Sequence, residues 1–122
     1  MKKTALLIID HGSKKKAAND MIEDIVALIQ KSRPDLIVEG AHMELAEPTI
    51  DDGINACINK GAEKIIAQPF MLSPGRHTTE DIPELVLESA KNHPNIDIST
   101  STHLGTHPLL VNIILERAGI SN

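Results

Sequence analysis

Apolar runs alternate with segments whose apolar positions recur every three or four residues, and the alternation continues from end to end. Thr4–Asp10 (TALLIID) is apolar at successive positions and bounded by Gly12, as expected of a central strand buried on both faces. Ala17–Ser32 follows, with Met21, Ile22, Ile25, Val26, Leu28 and Ile29 spaced along one helical face and Pro34 to end it. Leu36–His42 reads as a second strand. Thr49 is placed to cap the next helix, with Asp51 and Asp52 in its positive first turn; Ile50, Ile54, Cys57 and Ile58 form the inner stripe, and Gly61 stops it. Glu63–Pro69 is a third strand and Phe70–Thr78 a loop. A helix is expected over about Thr79–Asn92, with Pro83 tolerated in its first turn. Asn95–Ser99 is a short fourth strand, and Pro108–Ala118 a last helix stopped by Gly119. The order β-α-β-α-β-α-β-α with short connections predicts one α/β domain over residues 1–122, with a four-stranded parallel sheet and helices on both faces.

The last helix departs from the pattern. Leu109, Leu110, Val111, Ile113, Ile114 and Leu115 cover most of its circumference, so a second face needs covering. Two readings stand: that face meets another subunit, or the helix is sunk into the core.

Composition acts mainly by exclusion. At 122 residues, 41% of them hydrophobic, the chain has enough core to fold without a disulfide or structural metal. Phe70 is its only Phe, Tyr or Trp, too little for a stacking platform for single-stranded nucleic acid. A net charge of −5 argues against binding a phosphate backbone. The single cysteine, Cys57, excludes an internal disulfide and any CxxC site, and its apolar stripe makes it a buried structural thiol. No apolar run approaches the roughly 18 to 20 residues of a membrane span. The basic opening Met1-Lys2-Lys3 leads into too short an apolar stretch for a signal peptide. The expectation is a cytoplasmic protein with neither nucleic acid nor membrane as partner.

Open parallel sheets bind ligands beyond the carboxyl ends of their strands. Three strand ends here lead into polar loops: Asp10–Lys16, His42–Glu47 and Phe70–Asp81. These loops should converge on one edge, making His11 and His77 neighbours with Glu44 and Glu47 nearby. Imidazole is both a ligand for divalent first-row metals and a base that works near neutral pH. Neither the dinucleotide fingerprint nor the P-loop pattern is present, and no G-x-S-x-G elbow surrounds Ser13. His42 is free on this reading to face either the site or solvent.

Four stretches occur in one order: His11-Gly12-Ser13 after the first strand, Glu44-Leu45-Ala46-Glu47-Pro48, Gly75-Arg76-His77-Thr78-Thr79-Glu80-Asp81-Ile82-Pro83, and Leu104-Gly105-Thr106-His107-Pro108-Leu109. Together, over nearly the whole chain, they resemble the small CbiX-type sirohydrochlorin chelatases, the short class II chelatases. The resemblance implies a flavodoxin-like three-layer α/β/α chelatase fold. It implies a homodimer with the site in a cleft between the units, where longer relatives carry two units in one chain. The implied reaction inserts a divalent metal, most often Co²⁺, into sirohydrochlorin in cobalamin synthesis, with Ni²⁺ or Fe²⁺ as alternatives and no organic cofactor. His11 and His77 take the places of the family's metal-handling histidines, and Glu44 matches its acidic position.

The implied substrate is a polycarboxylate. Ser13, Lys14, Arg76 and Thr78 are its candidate polar contacts, with Met43 and Met71 along the ring. Two positions depart from the family's habit: Asp10 stands where a small residue is usual, and His42 where an aromatic is, so His42 is a candidate extra ligand. Two other classes use the same residues differently. A non-catalytic metal or tetrapyrrole carrier would leave metal and ring unjoined, and an anion-binding regulator would work through the lysine loop.

Overall fold

The computed structural model describes residues 3–120. Its strands are β1 (Thr4–Asp10), β2 (Ile37–His42), β3 (Lys64–Pro69) and β4 (Asp97–Thr100). Its helices are α1 (Lys16–Ser32), α2 (Ile50–Asn59), α3 (Ile82–Ala90) and α4 (Leu109–Arg117), with a π-helical turn, His77–Asp81, leading into α3. All strands are parallel, in the order β2-β1-β3-β4.

The unbroken apolar run of β1 follows from its central place. Ala5, Leu7 and Ile9 face one way, against Ile50, Ile54 and Cys57 of α2 and Ile82 and Val86 of α3. Ile8 faces the other way, against Ile22 of α1 and Val38. Right-handed crossovers dictate this division: the chain steps from β1 to β2 in one direction and returns through β3 and β4 in the other. The result is a flavodoxin-like α/β/α arrangement with α1 on one face and α2 and α3 on the other.

Local chemistry fixes α2 closely. Thr49 Oγ1 accepts from Asp52 N–H (3.1 Å) while the Asp52 carboxylate accepts from Thr49 N–H (3.0 Å), a capping box worth about 1 kcal/mol. Gly53 lets the helix lie against β1, since a Cβ there would sit 2.6 Å from Leu7 Cδ1.

The structure corrects three expectations. The stripe on α1 is not buried as a whole: only Ile22 is, while Met21 is 56% and Leu28 65% exposed, because α1 lies alone on its face without flanking helices. The third helix opens with the π turn before the regular segment, with Pro83 in that segment's first turn. The last helix is not sunk into the core. None of its residues is buried, and Leu109 and Ile114 are 62% and 63% exposed. On the α1 side the alternation of β3 and β4 presents a mostly polar face, Lys64, Gln68, Asp97 and Ser99 around the lone Ile66.

Candidate functional site

The strand order reverses between β1 and β3, and the crevice past their carboxyl ends is where such sheets hold ligands. β1 delivers Asp10-His11-Gly12 to this edge, and the segment after β3 delivers the π turn that begins at His77. The two imidazoles meet there nearly perpendicular, ring centroids 4.2 Å apart and planes at 77°.

Backbone pairing brings in the third loop. Past the strand ends, Met43 N–H donates to Asp10 O (2.9 Å) and Glu44 N–H to His11 O (3.0 Å). The approach is so close that Gly12, at φ +89°, has no room for a side chain: a Cβ would fall 1.7 Å from Glu44 O. Glycine alone satisfies both the left-handed φ and the contact.

The two residues that break the family habit turn out to be partners. Asp10 stands opposite His42 in the register, with His42 Nδ1 and Asp10 Oδ1 2.6 Å apart. His42 is 2% exposed. It faces Asp10 at the end of the sheet rather than joining the histidine pair or solvent.

His77 has a carboxylate of its own. Its Nδ1 lies 2.9 Å from Asp81 Oδ2, four residues on. The i, i+4 spacing was the only sequence signal for this contact.

His11 and His77 share a hollow of ≈ 290 Å³ with Met71, Ser73, Pro74, Gly75 and Thr78. On the other side of His11 lies a second hollow, ≈ 250 Å³, which includes Gly12, Ser13, Asn19 and Phe70. A cavity larger than either, ≈ 520 Å³, sits between α2 and α3 and contains neither histidine, so size does not locate the chemistry.

The other candidates divide. Met71 lines the histidine hollow, whereas Met43 lines the cavity between α2 and α3. Ser13 is held by Asn19, whose side chain accepts from its N–H (2.9 Å) and donates to its carbonyl (2.8 Å), and Ser13 Oγ accepts from Lys15 N–H (3.0 Å). Thr78 is buried, its hydroxyl accepting from Gly75 N–H and donating to Gly75 O, both at 3.1 Å. Both hydroxyls therefore shape their loops. Lys14 and Glu44 are exposed, and so is Arg76, with its Nε 3.6 Å from Glu80. Cys57 is buried away from this edge, and burial, reinforced by the Glu39 charge, pushes its thiol up to about 12. Among the described residues, no three His, Cys, Asp or Glu side chains gather to hold an ion. A metal at this edge would take two imidazoles from this chain and its remaining ligands from elsewhere.

Fold and site together define a class: a flavodoxin-like domain presenting two imidazoles at the point where its strand order reverses. The CbiX family model matches residues 5–120, and the chain belongs to that family. It is 40% identical over 112 residues to the chloroplastic sirohydrochlorin ferrochelatase of Arabidopsis thaliana, covering 92% of this chain and 50% of that protein. It is 34% identical to a sirohydrochlorin cobaltochelatase of Methanococcoides burtonii, with 95% of each chain covered. The crystal structure of the sirohydrochlorin chelatase SirB from Bacillus subtilis subspecies spizizenii in complex with cobalt superposes with a TM-score of 0.88 at 31% identity, covering 96% of this chain and 50% of that one. The chain thus spans about half the length of the Arabidopsis protein and of SirB.

Proposed function

We propose that the chain is a sirohydrochlorin chelatase, acting as a cytoplasmic homodimer that inserts a divalent metal into the macrocycle. Co²⁺ is the favoured metal, with Fe²⁺ and Ni²⁺ as alternatives. The observation that carries the reading is the His11–His77 pair. Imidazole nitrogens bind such metals at about 2.1 Å, which puts a ring centroid about 3.2 Å from the ion. Centroids 4.2 Å apart are then compatible with both rings on one ion, at an angle near 80–90°. That leaves the other coordination positions for the nitrogens of the ring.

On this reading His11 and His77 deliver the ion. Insertion also requires two pyrrole N–H protons to leave, and one imidazole nitrogen cannot hold metal and proton together. Glu44, exposed beside His11, is the residue available to receive a proton. Lys14 and Arg76, both exposed, suit the carboxylates of the substrate, and Met71 suits the ring itself.

Two features support a homodimer. The histidine hollows are shallow and open to solvent, and the uncovered apolar face of α4 adjoins them. A hollow of ≈ 380 Å³ lined by Leu72, Ser73, Pro74, His103 and Leu110 shares Ser73 and Pro74 with the histidine hollow. A second copy on that face would close the site as well as cover the helix. Relatives carry both cobalt and iron in their names, and imidazole and carboxylate donors follow one affinity order whatever the fold.

The test is to mix the protein with sirohydrochlorin and Co²⁺, Fe²⁺ or Ni²⁺ without oxygen, and to follow the visible spectrum of the macrocycle. Turnover above the protein-free control is expected, reduced about 10²-fold or more in His77→Ala. Stoichiometric binding without turnover would make the protein a carrier instead.

A further inference from the structure

We propose that Asp81 is the positioning residue that prepares His77 for the metal, an inference that rests on the chelatase reading above. Asp81 Oδ2 lies 2.9 Å from His77 Nδ1. An ionised carboxylate only accepts, so the shared proton resides on Nδ1 and the lone pair on Nε2. With Nδ1 occupied, Nε2 is the nitrogen left to take a metal beside His11. The carboxylate also fixes the plane of the ring, which stands at 77° to that of His11.

The backbone makes this contact a fixed one. His77 and Asp81 are the first and last residues of the π turn, closed by the Ile82 N–H donating to His77 O. Two buried residues anchor it, Thr78 through its bonds to Gly75 and Ile82 in the core under α3. Short π segments interrupt helices preferentially at functional sites. Here the turn holds an imidazole and its carboxylate at one end of α3 while the rest of the helix packs on the sheet. Glu80, in the same turn, is oriented toward Arg76 instead, so the turn sorts its two carboxylates between different partners.

Carboxylates that accept from the free N–H of a metal-binding histidine typically contribute 10- to 100-fold in metal affinity. The experiment titrates Co²⁺ into the full chain by calorimetry, for wild type, Asp81→Ala, Asp81→Asn, His77→Ala and the remote control Glu84→Ala. Thermal unfolding monitors each fold. Asp81→Ala is expected to weaken Co²⁺ binding 10- to 100-fold. Asp81→Asn, whose amide oxygen still accepts from Nδ1–H, should recover to within about threefold of wild type, and Glu84→Ala should match it. In the insertion assay, Asp81→Ala should raise KM for metal far more than it lowers kcat.

Wild-type affinity in Asp81→Ala overturns the proposal, and so does an Asp81→Asn variant as weak as Asp81→Ala. Co²⁺ binding that needs His77 but not Asp81 overturns this inference alone. Binding indifferent to His77 overturns the chelatase reading and takes the role of Asp81 with it.

Discussion

Replacing Gly12 by alanine adds one methyl group at the point where two loops of the site touch. Gly12 has φ +89°, and its new Cβ would start 1.7 Å from Glu44 O and 3.2 Å from His42 Cβ. The left-handed backbone costs an alanine roughly 1–2 kcal/mol. The overlap with a carbonyl oxygen is too deep for a rotamer change to relieve, so the two backbones must separate. That strains or breaks the Glu44 N–H to His11 O bond, now 3.0 Å long and worth about 0.5–1.5 kcal/mol. The sum, with some residual strain, is about 2–4 kcal/mol. At roughly 2.1 cal/mol/K per residue over 122 residues, it lowers Tm by about 8–16 °C. The control is Gly75→Ala, also in a loop of the site, where a Cβ meets nothing within 4 Å and φ is not positive. That variant should stay within about 0.5 kcal/mol of wild type. The assay is thermal unfolding followed by circular dichroism, with Co²⁺ affinity measured alongside. A Gly12→Ala protein within 2–3 °C of wild type, or one no less stable than Gly75→Ala, would refute the reasoning.

Two further predictions concern residues outside the histidine pair. His42→Phe should strand the Asp10 carboxylate, whereas the double variant Asp10→Gly/His42→Phe should recover stability, with a coupling of about 1–3 kcal/mol in a denaturation cycle; additive effects would mean the 2.6 Å contact contributes nothing. Val111→Ser/Ile114→Glu on α4, at side chains 54% and 63% exposed, should yield monomers by sedimentation with native circular dichroism and little insertion activity; an unchanged sedimentation coefficient would remove this face from the interface.

The sequence signals that held were those set by one segment and its period. The two-sided burial of β1, the Thr49 cap and the apolar stripe of α2 are each written within a dozen residues. Even the meeting of His11 and His77 follows once the alternation implies a parallel sheet, because both stand beyond carboxyl strand ends. What was hidden depends on register or on neighbours. Asp10 and His42 each look anomalous alone and become a pair only when β1 and β2 are set side by side. The π turn was not read from the sequence, and it places Thr78 and Ile82 in buried positions while His77 stays exposed. The apolar residues of α1 and α4 resemble core residues, yet only Ile22 of α1 and no residue of α4 is buried.

Among the described residues the edge brings together two imidazoles and no cluster of three donors, which suits the proposed chelatase. A structural metal site closes around its ion with four donors and holds it through folding. A protein that delivers an ion must instead bind it and then lose it to the acceptor. In the proposed chelatase, two imidazoles at an open edge would meet that requirement, because each coordination position left vacant is one a macrocycle nitrogen could occupy. A third strong donor from the same chain would deepen the ground state and slow the transfer, binding ion and transition state alike. The arrangement of carboxylates follows the same logic. Asp81 touches Nδ1 of His77, and Asp10 is engaged by buried His42. Glu44, exposed and paired through its backbone with His11, is the carboxylate that the proposed chelatase would use to receive a proton.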